Sequence, residues 1–110
     1  MQGIPSSESF ADLLKTRPLK KTARLMLHHI PEDRECAIGV LVPKRMAKRA
    51  IDRNTLKRLA REACRLRLQS VRGRVLIRIT KAVVSVPDSD RAGWWTELHQ
   101  LLDCLSQPKL

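Results

Sequence analysis

The stretch Arg53-Asn-Thr-Leu-Lys-Arg-Leu-Ala-Arg-Glu-Ala-Cys-Arg65 reads as one helix with two opposed faces. At about 100° per residue, its apolar side chains fall on one arc, which comprises Leu56, Leu59, Ala60, Ala63 and Leu66. Its polar and basic side chains fall on the opposite arc, which comprises Arg53, Asn54, Lys57, Arg58, Arg61 and Arg65. The stretch therefore predicts a helix that packs one face on a core and presents the other to a strongly negative partner.

The positive charge of the chain is concentrated around this helix. Residues 44–67 hold ten Lys/Arg against two acids, so they carry +8 of the formal net charge of +11. A local concentration of this kind is typical of a protein that binds a polyphosphate backbone. Aromatic side chains are scarce (3%), so phosphate contact is expected to outweigh base stacking.

The 110 residues correspond to one domain, 1–110, with residues 1–7 as a mobile tail. No apolar run approaches the ~20 residues that span a bilayer, and the N-terminus lacks a signal-peptide pattern. We therefore expect a cytoplasmic protein that has no membrane partner. Three widely spaced cysteines (Cys36, Cys64 and Cys104) indicate reduced thiols rather than a disulfide framework or a zinc site.

Alternation and turn residues predict the other elements. Before the central helix we predict a helix from Ser7 or Ser9 to Lys15, a strand from Arg24 to Ile30, a turn over Pro31–Arg34, and a second strand over Cys36–Val42 that is antiparallel to the first. After it we predict a strand over Val75–Thr80, which follows Gly73, and then a turn at Pro87–Asp90. The last element is a helix whose inward positions are Trp94, Leu98, Leu101, Leu102 and Leu105. Asp52 is a candidate N-cap or first-turn acid of the central helix. The order α-β-β-α-β-α predicts an α+β fold, a small α/β sandwich.

The segment from Ile38 to Arg65, Ile-Gly-Val-Leu-Val-Pro-Lys-Arg-Met-Ala-Lys-Arg-Ala-Ile-Asp-Arg-Asn-Thr-Leu-Lys-Arg-Leu-Ala-Arg-Glu-Ala-Cys-Arg, resembles the signature of the bacterial ribonuclease P protein component. In that family a Gly-containing strand ends in Ser/Ala-Lys-Lys, and a basic stretch leads into Arg-Asn-Arg-hydrophobic-Lys-Arg-x-x-Arg-Glu. The matching positions are Lys44-Arg45, Arg53-Asn54, Lys57-Arg58 and Arg61-Glu62, at a spacing like that of proteobacterial members. The chain departs from the family at two positions: Thr55 stands where the second arginine is usual, and Leu14 where a second aromatic is common.

The resemblance implies a protein subunit of a ribonucleoprotein whose RNA performs the chemistry. That chemistry is a Mg²⁺-dependent hydrolysis that removes the 5′ leader of precursor tRNA, and the protein alone is expected to be non-catalytic, metal-free and monomeric in the complex. The resemblance also implies an unusual left-handed β-α-β crossover, as in one domain of a small-subunit ribosomal protein. The residues expected to bind the catalytic RNA are Lys44, Arg45, Lys48, Arg49, Arg53, Asn54, Lys57, Arg58, Arg61 and Arg65. Those expected on the leader side are Phe10, Lys15 and His28.

Several of these residues are also compatible with purely structural roles. The basic arc is also compatible with a solvated helix face on which Glu62 pairs with Arg58 or Arg65. Asn54 is compatible with helix capping and Phe10 with a place in the core; His29 is expected to be structural or exposed.

The sequence bears on three other functions. A protein-only nuclease needs carboxylates that converge on a metal, whereas Asp52 and Glu62 are ten residues apart, about 15 Å along a helix. A structural, ribosomal-type RNA binder is the main alternative. A helix-turn-helix DNA reader is disfavoured because a strand and a basic connection precede the helix.

Overall fold

A computed structural model describes residues 2–3 and 14–106, with the side chains of residues 14–105. Within this part of the chain the strands are β1 (Gln2–Gly3), β2 (Lys20–Lys21), β3 (Leu25–Glu35), β4 (Ala37–Leu41) and β5 (Arg72–Ile79). The basic helix is Ala50–Arg67, and the C-terminal helix is Arg91–Ser106, preceded by a 3₁₀ turn at Asp88–Asp90. This composition confirms the predicted α+β class. Of the predicted first helix, Leu14 and Lys15 are helical, and the positions before them lie outside the described residues.

The strands form one sheet in the order β1-β4-β5-β3-β2. β5 is antiparallel to β3 and parallel to β4, with the basic helix connecting β4 to β5. The prediction that β4 is antiparallel to β3 holds for direction only, because β5 lies between them. β5 takes the centre because its run Val75, Leu76 and Ile77 is fully buried, which suits a strand covered on both faces. The left-handed course of the crossover stays a prediction.

Strand β3 continues through the positions predicted as a turn. Pro31–Arg34 belongs to the strand, and pairing with β5 resumes at Glu35 opposite Arg72 after an irregularity. The charged residues that suggested a turn pair across the sheet: Arg72 Nη2 lies 3.0 Å from Asp33 Oδ1, and Arg74 Nε lies 3.0 Å from Glu32 Oε1. The turn prediction was wrong because local composition does not reveal these partners 39 and 42 residues away.

The N-terminal residues also differ from the expectation of a mobile tail over 1–7. Gln2 and Gly3 pair in parallel with Ala37 and Ile38, which adds an edge strand to β4. Positions 1 and 4–7 lie outside the described residues. The tail prediction is therefore wrong for Gln2–Gly3.

Both helices pack on one face of the sheet. The core between them holds strand residues such as Leu27 and Ile77 together with Leu56, Ala60 and Trp94. The inward positions predicted for the C-terminal helix are confirmed: Leu98, Leu101 and Leu102 are buried, and Leu105 packs against the core. The adjacent tryptophans divide as expected for a helix, since Trp94 is buried and Trp95 is half-buried.

The basic helix is longer than predicted, and its buried stripe turns near its end. Leu66 was expected in the core but is 48% exposed. The C-terminal helix instead meets the side that carries Arg67, whose Nη1 lies 2.8 Å from His99 Nδ1 and whose Nη2 lies 2.5 Å from Asp103 Oδ1. Leu66 lies on another side of the helix and remains at the surface.

Asp52 joins the start of the basic helix to the loop after β5. Arg49 occupies the N-cap position without a side-chain cap, so the N-cap alternative for Asp52 is wrong and the first-turn alternative is confirmed. The buried Asp52 carboxylate accepts a hydrogen bond from the Val86 amide at 3.0 Å.

The cysteines of the chain are all free thiols, as predicted. Cys36 and Cys64 are buried and Cys104 is exposed. Burial raises the pKa of Cys64 to about 12, so this thiol packs as a small apolar side chain.

A buried carboxylate ties the C-terminal helix to the start of β3. Glu97 is 8% exposed and accepts hydrogen bonds from Thr22 Oγ1 at 2.6 Å and from the Arg24 backbone N and Nε, both at 2.8 Å. The Arg24 guanidinium lies 3.5 Å from the centroid of the Trp94 ring. Burial alone would raise the pKa of Glu97, but these hydrogen bonds outweigh it and lower the pKa.

Glu97→Gln is expected to lower the free energy of unfolding at pH 7 by about 1.5–3 kcal/mol, because charge-assisted hydrogen bonds are lost. A carboxylate whose pKa is depressed by folding stabilises the protein above its unfolded pKa of about 4.3, and that contribution is lost as the pH falls through the folded pKa. Urea unfolding at pH 7 and pH 3.5 measures the free energy of unfolding of the parent and the variant. The difference between the two proteins should be smaller at pH 3.5; a difference of the same size at both pH values contradicts the prediction. Glu62→Gln, at an exposed carboxylate, is the matched control and should change little.

Candidate RNA interface

The predicted polar arc of the basic helix forms one continuous surface, here called the basic face. A shallow depression of about 410 Å³ runs along it, lined by Asn54, Lys57, Arg58, Arg61, Glu62 and Arg65. Asn54, Arg58, Arg61 and Arg65 are exposed and Lys57 is half-buried. The helix thus brings together five of the predicted RNA-binding side chains.

The charge of the basic face is only partly neutralised within the protein. Glu62 accepts a hydrogen bond from Arg65 Nε at 3.2 Å, which lowers the pKa of Glu62. Across residues 14–105, no acidic side chain forms an ion pair with Lys57, Arg58 or Arg61. Like charges at helical spacings i, i+4 repel one another, so a surface of this kind gains free energy when an anion binds.

Arg53 has a positioning role that the sequence pattern did not reveal. Its Nη1 donates hydrogen bonds to the carbonyls of Ala47 and Lys48, both at 2.9 Å. The side chain is half-buried and fixes the preceding connection against the first turn of the helix. Arg53 therefore orders its neighbours in addition to contributing charge.

The basic connection before the helix is a fixed turn. The amides of Met46 and Ala47 donate to the Pro43 carbonyl at 2.9 and 3.1 Å, and the Val83 amide donates to the Met46 carbonyl at 2.5 Å. These bonds hold four exposed basic side chains beside the helix N-terminus, namely Lys44, Arg45, Lys48 and Arg49. Arg49 Nε also lies 3.4 Å from Asp52 Oδ2. The amides of a helix N-terminus themselves favour an anion, so the connection extends the basic face.

Asn54 lies within the helix, past the cap position held by Arg49. The capping alternative for Asn54 is therefore wrong. Its exposed amide lies in the depression of the basic face and offers both a donor and an acceptor.

Of the residues predicted on the leader side, His28 lies on the face of the sheet opposite the two helices. His28 is 1% exposed, with Nδ1 3.3 Å from Thr16 Oγ1, and Lys15 is exposed. Burial, and then the positive charge of Arg78, lower the pKa of His28. Phe10 lies outside the described residues. His29 points to the other side and lies with Nε2 3.0 Å from the Arg72 carbonyl, which fits the expected structural role.

Arg78 also lies on the His28 face, although it is not among the residues predicted for the site. Its Nη2 lies 3.2 Å from Met26 Sδ. Within the described part of the chain, His28 Nε2 and Arg78 Nε are buried without a hydrogen-bond partner. Buried polar atoms usually have a hydrogen-bond partner, so these two nitrogens give this face hydrogen-bonding capacity that the neighbouring protein atoms leave unused. The signal in the sequence was the alternation of Arg74 and Arg78 with apolar residues in β5.

The carboxylates do not converge. Asp52 is buried under Val86, whereas Glu62 is exposed and pairs with Arg65. Within residues 2–3 and 14–106, no group of three His, Cys, Asp or Glu side chains is arranged to hold a metal ion. No helix in the described ranges has the length and apolar character to cross a membrane.

Comparisons with known proteins show the family and the fold of the chain. The family model described as Ribonuclease P matches residues 2–106. The ribonuclease P protein component of Burkholderia mallei is 33% identical over 104 residues, covering 88% of this chain and 76% of that protein. The Paraburkholderia xenovorans protein component is 34% identical over 104 residues, covering 88% and 75%.

Solved structures show the same fold. The RNase P protein of Staphylococcus aureus aligns with a TM-score of 0.77 at 15% identity, covering 96% of this chain and 95% of that chain. The RNase P protein of Thermotoga maritima aligns with a TM-score of 0.70 at 16% identity, covering 100% of both chains. Family model, relatives and fold coincide over nearly the whole chain: it belongs to the Ribonuclease P family.

Proposed function

We propose that this protein is the protein subunit of ribonuclease P, which binds the catalytic RNA and assists removal of the 5′ leader of precursor tRNA. Family membership supports the proposal, and the observation that carries it is the basic face of this chain. There Lys57, Arg58 and Arg61 are aligned without acidic partners in the described part of the chain. Its place of action would be the cytoplasm.

The protein acts in this proposal by charge and position rather than by bond chemistry. The RNA would hold the Mg²⁺ ions, and these would activate the attacking water. Lys44, Arg45, Lys48 and Arg49 neutralise phosphates beside the helix N-terminus, and the basic face continues this contact along the RNA. Arg53 keeps the two segments in register through its bonds to Ala47 and Lys48.

The His28 face would contact the leader. Its contribution comes from the half-buried Arg78 and the exposed Lys15, with Phe10 as a further candidate; contact with His28, which is 1% exposed, requires the side chains that cover it to move. Because burial and Arg78 lower the pKa of His28, the imidazole is neutral at pH 7. It would therefore contact the leader through hydrogen bonding and packing rather than through charge.

Reconstitution with the matching RNA subunit tests this function. At low magnesium concentration, protein plus RNA should release the 5′ leader of precursor tRNA much faster than RNA alone, and protein alone should release none. Cleavage by the protein without RNA would contradict the proposal. An unchanged rate with and without protein, together with tight RNA binding, would instead favour a structural RNA-binding protein.

Thr55→Arg is expected to strengthen RNA binding about threefold to tenfold and to steepen its salt dependence by roughly one phosphate contact. Thr55 Oγ1 donates to the Ile51 carbonyl at 2.9 Å, so the present side chain is turned back on the helix. The variant restores the arginine that is usual in the family. Thr55→Gln, of similar reach but without charge, is the control, and equal affinities of the two variants would contradict the prediction.

A further inference from the structure

A second depression lies where the basic helix ends against the sheet. This terminal pocket has a volume of about 690 Å³, within the range of about 300–1,000 Å³ typical of small-ligand sites. Its floor includes the buried Cys36 and Leu68, and Arg65 and Arg72 stand at its rim. Three further polar side chains line the pocket: Glu35, Gln69 and Ser70.

The terminal pocket is continuous with the basic face. Arg65 lines both depressions, so an RNA strand that follows the basic face towards the C-terminal end of the helix reaches the pocket without leaving the protein surface. The ion pairs of Arg65 with Glu62 and of Arg72 with Asp33 are exposed. Exposed pairs are weak, and both arginines can exchange their carboxylate for a phosphate.

The chemistry inside the pocket suits a base better than a phosphate. Its apolar floor matches the ring of a base, and the nearby C-terminal end of the helix carries partial negative charge, which disfavours an anion. Gln69 offers a donor and an acceptor, Ser70 a hydroxyl, and Glu35 a carboxylate that accepts a hydrogen bond from an amino group. Unpaired bases that leave the stack are the usual targets of sequence-specific RNA recognition.

We propose that the terminal pocket holds one unpaired base of the bound RNA that carries an amino group, with the neighbouring phosphates on Arg65 and Arg72. The proposal rests on the proposed function in one respect, because the RNA that supplies the base is the one bound by the basic face. It adds a base-reading site to a surface that otherwise contacts phosphates.

The double variant Gln69→Ala/Ser70→Ala in the full-length protein tests the pocket. Affinity for the matching RNA subunit should fall about fivefold to tenfold, because two hydrogen-bonding groups are removed. The salt dependence should stay that of the parent, since no charge changes. Thr96→Ala/Gln100→Ala, at two exposed positions of the C-terminal helix, is the matched control and should bind as the parent does.

Nucleotide titrations followed by backbone amide NMR give a second measurement. Millimolar 5′-GMP should shift the amides of Cys36 and of residues 68–72 more than 5′-UMP does, because guanine carries an amino group that can donate to Glu35 and uracil carries none. Equal shifts with both nucleotides, or none with either, overturn the proposal.

The outcomes also separate the pocket from the proposed function. If the pocket variant binds RNA as the parent does while Lys57→Ala/Arg58→Ala/Arg61→Ala loses affinity, the base site is wrong and the proposed function stands. If neither variant loses affinity, both proposals fail.

Discussion

The variant Lys57→Ala/Arg58→Ala/Arg61→Ala is expected to bind the catalytic RNA roughly 100-fold more weakly than the parent at 0.15 M salt. In a plot of log affinity against log salt concentration, the negative slope of the variant should be smaller in magnitude than that of the parent by about two to three. The reason is that these three side chains have no acidic partner within the described residues and release counterions from the phosphates that they contact. Filter binding or fluorescence titration at four or five salt concentrations measures both quantities.

A second triple variant with the same net charge is the control for this prediction. Arg34→Ala/Lys81→Ala/Arg91→Ala also removes three positive charges, all from exposed positions outside the basic helix. If binding depended on net charge alone, both variants would lose affinity equally. Equal losses, or parent-like binding of the basic-face variant, contradict the assignment of the interface.

Gly73→Ala is expected to destabilise the fold by more than about 3 kcal/mol and to lower Tm by about 10–20 °C. Gly73 has φ +101°, a conformation that L side chains rarely adopt, and a Cβ there would lie 2.2 Å from the Ile30 carbonyl oxygen and 2.6 Å from the Glu32 amide nitrogen. Both atoms belong to the backbone of β3 at its irregularity, so relief requires the strand to move. Thermal and urea unfolding monitored by circular dichroism measure the loss.

Gly93→Ala is the matched control, because it makes the same chemical change inside the C-terminal helix. Its Cβ would meet only the Asp90 Oδ1 at 3.3 Å, the end of a side chain that can shift. Alanine is the better helix former by about 1 kcal/mol, so this variant should be as stable as the parent or slightly more stable. A Gly73→Ala protein as stable as Gly93→Ala would contradict the positive φ of Gly73 and its close approach to the backbone of β3.

The elements with strong local periodicity could be predicted from the sequence. Leu56, Ala60 and Ala63 repeat at helical spacing, and the inward positions of the C-terminal helix do the same, so their burial followed directly. Leu66 fits the same repeat but is exposed, because the direction from which the neighbouring helix approaches is a tertiary property.

Long-range pairing accounts for the errors in the sheet. The polar run at Pro31–Arg34 has the composition of a turn, and only Arg72 and Arg74 on another strand make it part of β3. The position of β5 between β3 and β4 likewise could not be predicted, because the patterns of consecutive segments do not show which strands pair.

The basic face could be predicted more completely than the roles within it. Spacing alone placed Asn54, Lys57, Arg58, Arg61 and Arg65 together, as the structure has them. The hydrogen bonds of Arg53 to backbone carbonyls, and the unpartnered nitrogens of His28 and Arg78, depend on how segments meet in space. The terminal pocket is a product of the same kind, since its walls come from the helix end, the following loop and two strands.

Leader release at low magnesium by the RNA subunit, compared between the parent protein and Lys57→Ala/Arg58→Ala/Arg61→Ala, tests the central claim most directly. The parent should stimulate release at protein concentrations near that of the RNA, whereas the variant should need roughly 100-fold more protein to reach the same rate. Stimulation by the variant at the same concentration as the parent would contradict the claim that the basic face joins this protein to the catalytic RNA.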